Sequence, residues 1–154
     1  MRRVVIAVLV ALAAITGWLG WRDIEVRRTE ATREQMVAAG RTGLLALTTI
    51  DHQQVDVDVQ RILDTSTGAF REDFEKKAEG FKDAARKAQS RSVGTVTEAG
   101  WESADGDTGR VLVALTVMTT NRGVPERQPK AWRTRVTVTK DGGEYKVAAV
   151  EFVP

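Results

Sequence analysis

The feature that most constrains this chain is an uncharged apolar run near its N-terminus. From Val4 to Trp21 no side chain carries a charge, and only Thr16, Gly17 and Gly20 fall outside the apolar and aromatic residues. At ~1.5 Å per residue, a helix over this run matches the hydrocarbon core of a bilayer, which is roughly 30 Å thick. The run therefore predicts one transmembrane helix, residues 4–21, with the lipid bilayer as a partner.

The residues around this run predict the topology. Arg2 and Arg3 precede it, so residues 1–3 are expected to form a cytoplasmic tail. A first helix with so short a tail usually sends its C-terminal side outward, which predicts a single-pass inner-membrane protein with an extracytoplasmic C-terminal domain. The alternative is a cleaved signal peptide, because Ala11-Leu12-Ala13 resembles a cleavage site. Cleavage there would leave an apolar mature end that carries tryptophan, so an uncleaved anchor is favoured.

Charge and cysteine content argue against several classes of function. The formal net charge is +2, and Arg2 and Arg3 supply all of it, so the rest of the chain is balanced. A nucleic-acid-binding domain carries a large excess of Lys and Arg because it neutralises phosphates. No nucleic-acid partner is therefore expected. The chain has no cysteine, which excludes disulfides, thiolate metal ligands and a cysteine nucleophile.

The apolar spacing that follows the anchor is helical. Residues 22–50 predict a stalk and first helix, in which Gly40 and Gly43 weaken the helical pattern. A second helix, with Asp51 as its cap, carries apolar residues at helical spacing: Val55, Val59, Ile62 and Leu63. A third helix has Glu72 and Asp73 in its first turn. It carries one apolar stripe, formed by Phe70, Phe74, Phe81, Ala85 and Ala88.

From Ser92 onward the apolar period changes to two, which is typical of half-buried strands. Four strands are predicted at residues 93–102, 111–118, 132–139 and 145–153. On the third of them, Trp132 and Val136 alternate with Arg133 and Arg135. Helices first and an antiparallel meander afterwards predict the α+β class, with helices packed on a curved four-stranded sheet; residues 51–154 complete this one domain.

Two motifs resemble one known family. Asp56-Val57-Asp58 followed by Thr67-Gly68-Ala69-Phe70-Arg71-Glu72-Asp73-Phe74, behind a single membrane helix, resembles the Mce-associated membrane proteins of actinobacteria. The Asp141-Gly142 turn, the Tyr145-Lys146-Val147 segment and the last residues, Glu151-Phe152-Val153-Pro154, are similar to that family as well. The resemblance covers nearly the whole chain, and it implies the nuclear transport factor 2-like cone fold.

The resemblance also implies a function. The implied function is to accompany or stabilise, in the cell envelope, the Mce complexes, which import lipids and sterols across the mycobacterial cell envelope. The family has no established catalytic residues to carry over. We therefore expect a non-catalytic accessory or scaffold subunit, whose partners are the other subunits of a lipid-transport complex.

The polar groups that could carry chemistry have simpler structural interpretations. His52 is the only histidine, and a lone histidine without cysteine does not make a usual zinc site. Asp56 and Asp58 are two residues apart on a helix and point to different faces. Ser66 and Thr67 precede a helix and are expected to cap it. No catalytic, cofactor-binding or metal-binding residue is predicted, and no cofactor.

Four residues are predicted as possible cavity or partner contacts. Trp101 and Trp132 would line the mouth of the cone or pack in its core, and the sequence does not separate these roles. Arg133 and Arg135 belong to a basic cluster that is a solvated strand face or, less simply, a contact for a partner. Two other functions remain open: a binding module that holds a small apolar ligand in the cone cavity, and an enzyme that uses the same cavity.

Overall fold

The computed structural model describes residues 29–122 and 129–154. The predicted tail 1–3, the transmembrane helix 4–21 and the beginning of the stalk lie outside these residues. Among the residues that are described, no helix is both long and apolar enough to span a bilayer. Gln35–Pro154 forms one compact unit, which contains the sheet and the helices that pack on it.

Helices precede the sheet, as predicted. Helix α1 covers residues 29–48 of the described chain. The elements after it are β1 (Ile50–Asp51), α2 (Val55–Asp64), α3 (Gly68–Ala88), β2 (Arg91–Asp105), β3 (Thr108–Thr120), β4 (Lys130–Asp141) and β5 (Glu144–Phe152). The strands form one antiparallel sheet in the order β1-β2-β3-β4-β5. The α+β class is confirmed.

The predicted number of strands was wrong, because the sheet has five strands rather than four. The additional strand is β1, in which Ile50 pairs with Ser92 and Asp51 with Arg91. A two-residue strand is too short to show any period in the sequence. The sequence therefore predicts Ile50 at the end of the first helix and Asp51 at the start of the second.

Helix α1 continues through the two glycines that weakened its prediction. A Cβ added to Gly40 would lie 3.2 Å from Val111 Cβ, and one added to Gly43 would overlap the side chain of Val147. Both glycines therefore lie where the helix approaches the sheet most closely. The absence of a side chain at these positions permits the packing, which compensates for the lower helical propensity of glycine.

The main core lies between α1 and one side of the sheet, which we call the inner face. The inner face consists of alternate, buried residues of β3 and β4: Val111, Val113, Leu115, Val117, Thr134, Val136 and Val138. The side chains of Met36 and Leu44 from α1 pack on it, together with Val147 of β5. The predicted alternation of the second and third strands of the meander is confirmed.

A second core joins α2 and α3. The four apolar residues predicted for the second helix are all buried here: Val55, Val59, Ile62 and Leu63. The phenylalanines of α3 are only half-buried. Phe74 and Phe81 pack against this second core with ring centroids 5.8 Å apart, whereas Phe70 packs against the main core. The aromatic stripe of α3 is therefore divided between the two cores.

The predicted helix starts need correction. Residue Gln54, not Asp51, occupies the N-cap position of α2; the Asp51 carboxylate instead accepts a hydrogen bond from the Gln53 amide at 2.9 Å. Helix α3 begins at Gly68, so Glu72 and Asp73 fall beyond its first turn. Gly68 has a φ of +60°, a value that glycine adopts without strain and that brings the chain into the helix earlier than predicted.

Candidate functional site: the outer face of the sheet

The two tryptophans that were predicted as contacts lie on the inner face. Trp101 pairs with Val111 across β2 and β3, and Trp132 pairs with Leu115 across β3 and β4. Trp132 packs on the main core, and its ring meets Phe152 edge-on at a centroid distance of 5.4 Å. Of the two roles that the sequence left open for Trp132, core packing is the one observed.

The two arginines lie on the opposite side, which we call the outer face. Arg133 pairs with Ala114 and Arg135 with Leu112, and these two β3 residues alternate with the buried residues of the inner face. Large apolar side chains remain exposed here, since Leu112 is 41% and Met118 51% accessible to solvent. The four predicted contact residues therefore do not form one site.

A groove of about 280 Å³ crosses the outer face. Its floor consists of small and apolar residues, namely Gly100, Leu112 and Ala114, and Val153 lies at its β5 side. Glu98 on β2 and Arg133 on β4 stand on either side of Ala114, because the register pairs both of them with that residue. The groove is thus apolar along its length and has an acid on one wall and a base on the other.

Two β-bulges in β2 determine which of its side chains reach this groove. The register shifts between Val96 and Glu98 and again between Trp101 and Ser103. A bulge adds one residue and so exchanges the two faces of the strand beyond it. The first bulge turns Glu98 and Gly100 outward and Trp101 inward. Strict alternation from Val93, as the sequence predicted, gives the opposite arrangement.

An ion pair spans β3 beside the groove. Arg135 on β4 donates two hydrogen bonds of 2.7 Å to the carboxylate of Glu102 on β2 and lies 3.9 Å from Glu151. The hydrogen bonds from Arg135 lower the pKa of Glu102, and the same contact raises the pKa of Arg135. Both groups therefore stay charged over the physiological range of pH. The guanidinium of Arg135 is therefore already bound by carboxylates of its own chain.

Glu98 and Arg133 differ from that pair. Both are exposed, and within residues 29–122 and 129–154 neither makes an ion pair or a side-chain hydrogen bond. Glu98 and Arg133 therefore present an uncommitted carboxylate and an uncommitted guanidinium, separated by the short side chain of Ala114. Arg110, two residues before Leu112 on β3, is a second exposed guanidinium of this face. The sequence analysis selected Arg133 but missed Glu98, because only the bulge brings that carboxylate to this face.

The carboxylates of the D-x-D motif are structural. Asp58 is 5% exposed; it accepts a hydrogen bond from the Asp51 amide at 2.8 Å and pairs with Arg61 at 2.9 Å. It thereby holds β1 against α2. Its exposed neighbour Asp56 instead points to α3, where hydrogen bonds from Arg86 first, and also from Lys82, lower its pKa. The prediction that the two carboxylates face different directions is confirmed.

The second motif of the resemblance and the C-terminal hairpin motif contact each other. Thr67 Oγ1 donates a hydrogen bond of 2.9 Å to the carboxylate of Asp141, and the Thr67 amide donates to the Val147 carbonyl at 2.8 Å. Ser66 Oγ donates to the Ile62 carbonyl at 2.6 Å. Neither hydroxyl caps α3, contrary to the prediction. The Thr67 hydroxyl joins the start of α3 to the β4–β5 hairpin, whereas the Ser66 hydroxyl binds the last turn of α2.

His52 lies near one carboxylate, with its Nδ1 atom 3.5 Å from Asp51 Oδ1. Within the part of the chain that the structure describes, no group of three or more His, Asp or Glu side chains is placed to hold a metal ion. The candidate site is the outer face with its groove, which combines exposed apolar side chains with the charges of Glu98 and Arg133.

Sequence comparison places the chain in a family. The family model described as "Uncharacterized protein Rv1363c/MT1408-like" matches residues 1–154. The chain belongs to the Rv1363c/MT1408-like family. One relative is the protein Rv1363c of Mycobacterium tuberculosis, which is 33% identical over 149 residues. The match covers 97% of this chain and 57% of Rv1363c, so the chain spans little more than half the length of that relative.

Solved structures show that this Rv1363c-like chain shares a fold with components of secretion systems. An IcmL-like type IV secretion system protein from Legionella pneumophila has a TM-score of 0.61 at 14% identity, covering 79% of this chain and 92% of that one. The periplasmic domain of DotI has a TM-score of 0.60 at 12% identity, covering 77% and 92%. At these identities the likeness shows the fold alone, which is that of nuclear transport factor 2-like and VirB8-like domains. The association with Mce complexes stays a prediction.

Proposed function

We propose that this chain is a non-catalytic accessory or scaffold subunit of a transport assembly in the cell envelope. The observation that carries the proposal is the exposed outer face. Its apolar side chains Val93, Leu112 and Met118 are 45%, 41% and 51% accessible, and Val93 and Met118 pair directly across two strands. Exposed apolar groups that share one face of a sheet, beside an uncommitted acid and base, are typical of a surface that binds another macromolecule.

An extracytoplasmic location is part of the proposal. It is supported by the uncharged run of residues 4–21 and by the likeness of the fold to the periplasmic domain of DotI. A domain that is tethered beside the membrane meets other membrane-bound subunits at high effective concentration, so a modest contact face is enough to hold it in an assembly.

The assembly that we propose is a Mce-type lipid importer. The two sequence motifs of the resemblance support this choice, and their contact through Thr67 and Asp141 gives them a shared structural reason to occur together. We infer the partner from the motif resemblance and the contact surface from the exposed apolar side chains of the outer face.

A second candidate function is a module that binds a small apolar ligand. The groove of about 280 Å³ favours it, since this volume is near the lower end of the usual range for ligand sites. The location differs from the expected cone cavity, because Met36 and Leu44 of α1 fill the centre of the inner face. A ligand would instead lie on the outer face, against Leu112 and Gly100.

Complementation of a deletion strain with full-length variants tests the proposed function. We expect deletion to lower the uptake of fatty acid or sterol and the abundance of the importer subunits. A double change on the outer face, Leu112→Glu with Met118→Glu, should behave like the deletion, because two buried charges disrupt an apolar contact. Single polar changes elsewhere, His52→Ala, Asp56→Asn and Tyr145→Phe, should restore uptake at matched protein levels.

The opposite pattern would contradict the proposal. If a stable single polar variant failed like the deletion while the double outer-face variant restored uptake, the function would depend on chemistry at that polar group. An enzyme behaves in this way, because one missing acid, base or nucleophile removes several kcal/mol of transition-state stabilisation.

A further inference from the structure

We propose that the outer face binds the outer face of a second copy of this chain, about a two-fold axis that runs along β3. The inference concerns the surface on which the proposed function rests, and it names the first partner of that surface. It is carried by the order of charges across three neighbouring strands, which makes the face complementary to itself.

The outer face carries its charges in columns. The β2 column is acidic and holds Glu98 and Glu102, while the β4 column is basic and holds Arg133 and Arg135. Between them, the β3 column is mainly apolar. Its outward residues, from the groove toward the end of the strand, are Leu112, Ala114, Thr116 and Met118.

Rotation about an axis along β3 brings unlike charges together. Such a rotation exchanges left and right, so the acidic β2 column of one copy lies over the basic β4 column of the other. Glu98 of each copy then faces Arg133 of the other copy, because both flank Ala114 at the same level of the sheet. The interface is isologous, and the pair is formed twice.

The perpendicular arrangement is unfavourable. A two-fold axis across the strands places each column over the equivalent column of the other copy. Glu98 and Glu102 then meet acids, and Arg133 and Arg135 meet bases. Like charges placed opposite each other in an interface cost several kcal/mol. The charge order therefore selects one orientation of the axis as well as one partner.

The middle column supplies the apolar contact. On the proposed axis, Leu112 and Ala114 of one copy pack on the same residues of the other, at the spacing of roughly 10 Å usual for stacked sheets. Arg110 marks the end of this apolar stretch: the axis places it opposite Arg110 of the other copy, and the carboxylate of Glu102 beside each guanidinium offsets this like charge. The contact therefore centres on the groove and does not extend to the β2–β3 turn.

The uncommitted groups explain why a second copy fits better than another ligand. Glu102 and Arg135 already bind each other within the chain, so Glu98 and Arg133 are the pair of this face that awaits a partner among the described residues. A ligand for both must carry a base and an acid at the correct separation on an apolar body. A second copy carries them by symmetry.

Charge reversal in the full-length protein in detergent micelles tests the inference, with the oligomeric state measured by light scattering and sedimentation. We expect a dimer whose dissociation constant rises by about tenfold or more on either Glu98→Arg or Arg133→Glu. The double variant, Glu98→Arg with Arg133→Glu, should return to within about threefold of the original affinity, because exchange of the two charges restores the acid–base pair between residues 98 and 133 of the two copies. Equal melting temperatures of the variants will show that the exposed charges do not alter the fold.

Cysteine cross-linking gives the geometry, since the chain has no cysteine of its own. Leu112→Cys lies on the proposed axis and should be joined to the same cysteine of the second copy by a short bis-maleimide, because sheets stacked roughly 10 Å apart hold the two Cα atoms too far apart for a direct disulfide. The control is Val57→Cys, which is 60% exposed on α2 and should remain monomeric under the same conditions.

A monomeric full-length protein would overturn the inference, as would a dimer that none of the charge changes affects, or equal cross-linking at both cysteines. Cross-linking of Leu112→Cys in native membranes to a different protein alone would overturn it too. In these cases, loss of uptake in the Leu112→Glu with Met118→Glu strain would still support the proposed function. Normal uptake in that strain, together with a dimer of the unaltered protein that the charge changes weaken as expected, would contradict only the proposed function.

Discussion

The two faces of β3 use the same kind of side chain for different purposes. Leu115 on the inner face is 1% exposed and lies in the main core, whereas Leu112, three residues earlier on the outer face, is 41% exposed. One strand therefore contributes both to the folding of the domain and to a surface for association. The comparison shows that an apolar residue in an amphipathic strand is not by itself a core residue, and that its face decides its role.

Glycine also has different roles on the two sides. On the inner side, Gly40 and Gly43 let α1 approach Val111 and Val147. On the outer side, a Cβ added to Gly100 would have no heavy atom within 4 Å, so this glycine leaves the floor of the groove open. Close packing determines the inner face. The outer face is determined by charge order and by the space that small residues leave.

The largest expected difference between the faces is in their contribution to stability. Leu115→Ala should lower the free energy of unfolding by about 2–5 kcal/mol, because it leaves a cavity in a packed core. Leu112→Ala should change it by less than about 0.5 kcal/mol at a protein concentration where the chain is monomeric. Urea denaturation followed by circular dichroism measures both values. A large loss in Leu112→Ala under these conditions would show that the outer face belongs to the core.

A smaller effect separates two glycines that lie on helices. Gly43→Ala should lower the free energy of unfolding by about 1–3 kcal/mol, because its new methyl group would overlap Val147 in a packed core. Gly80→Ala is the matched control on α3, where a Cβ meets nothing within 4 Å. There the change should raise stability by about 0.5–1 kcal/mol through helix propensity alone. Stabilisation by both changes would mean that α1 does not approach the sheet closely.

The helices and the inner face were predictable because their periods are local. The spacing of Val55, Val59 and Ile62 identifies one face of a helix, and the alternation around Val113 and Leu115 identifies one face of a strand. Each pattern depends only on residues within a few positions of one another. Because each element is predicted locally, its position in the sequence gives the order of helices and strands. This order predicts the α+β class.

The candidate site was less predictable because it depends on β-bulges and on contacts between strands, which leave no periodic pattern in the sequence. A bulge after Val96 decides that Glu98 and Gly100 face outward and that Trp101 faces inward. The contact between Arg135 and Glu102 joins residues two strands apart, at a second bulge. Arg133, one of the four possible cavity or partner contacts, lines the groove, whereas the two tryptophans lie on the other face of the sheet.

Cysteine accessibility in intact cells and native membranes tests most directly the claim that the outer face is an occupied, extracytoplasmic interface. A membrane-impermeant maleimide should label Val57→Cys rapidly in intact cells, since α2 is exposed and the domain is proposed to lie outside the cytoplasm. It should label Met118→Cys at least about tenfold more slowly, and the two rates should become equal once denaturant dissociates the assembly. Equal, rapid labelling of both cysteines in native membranes would contradict the account.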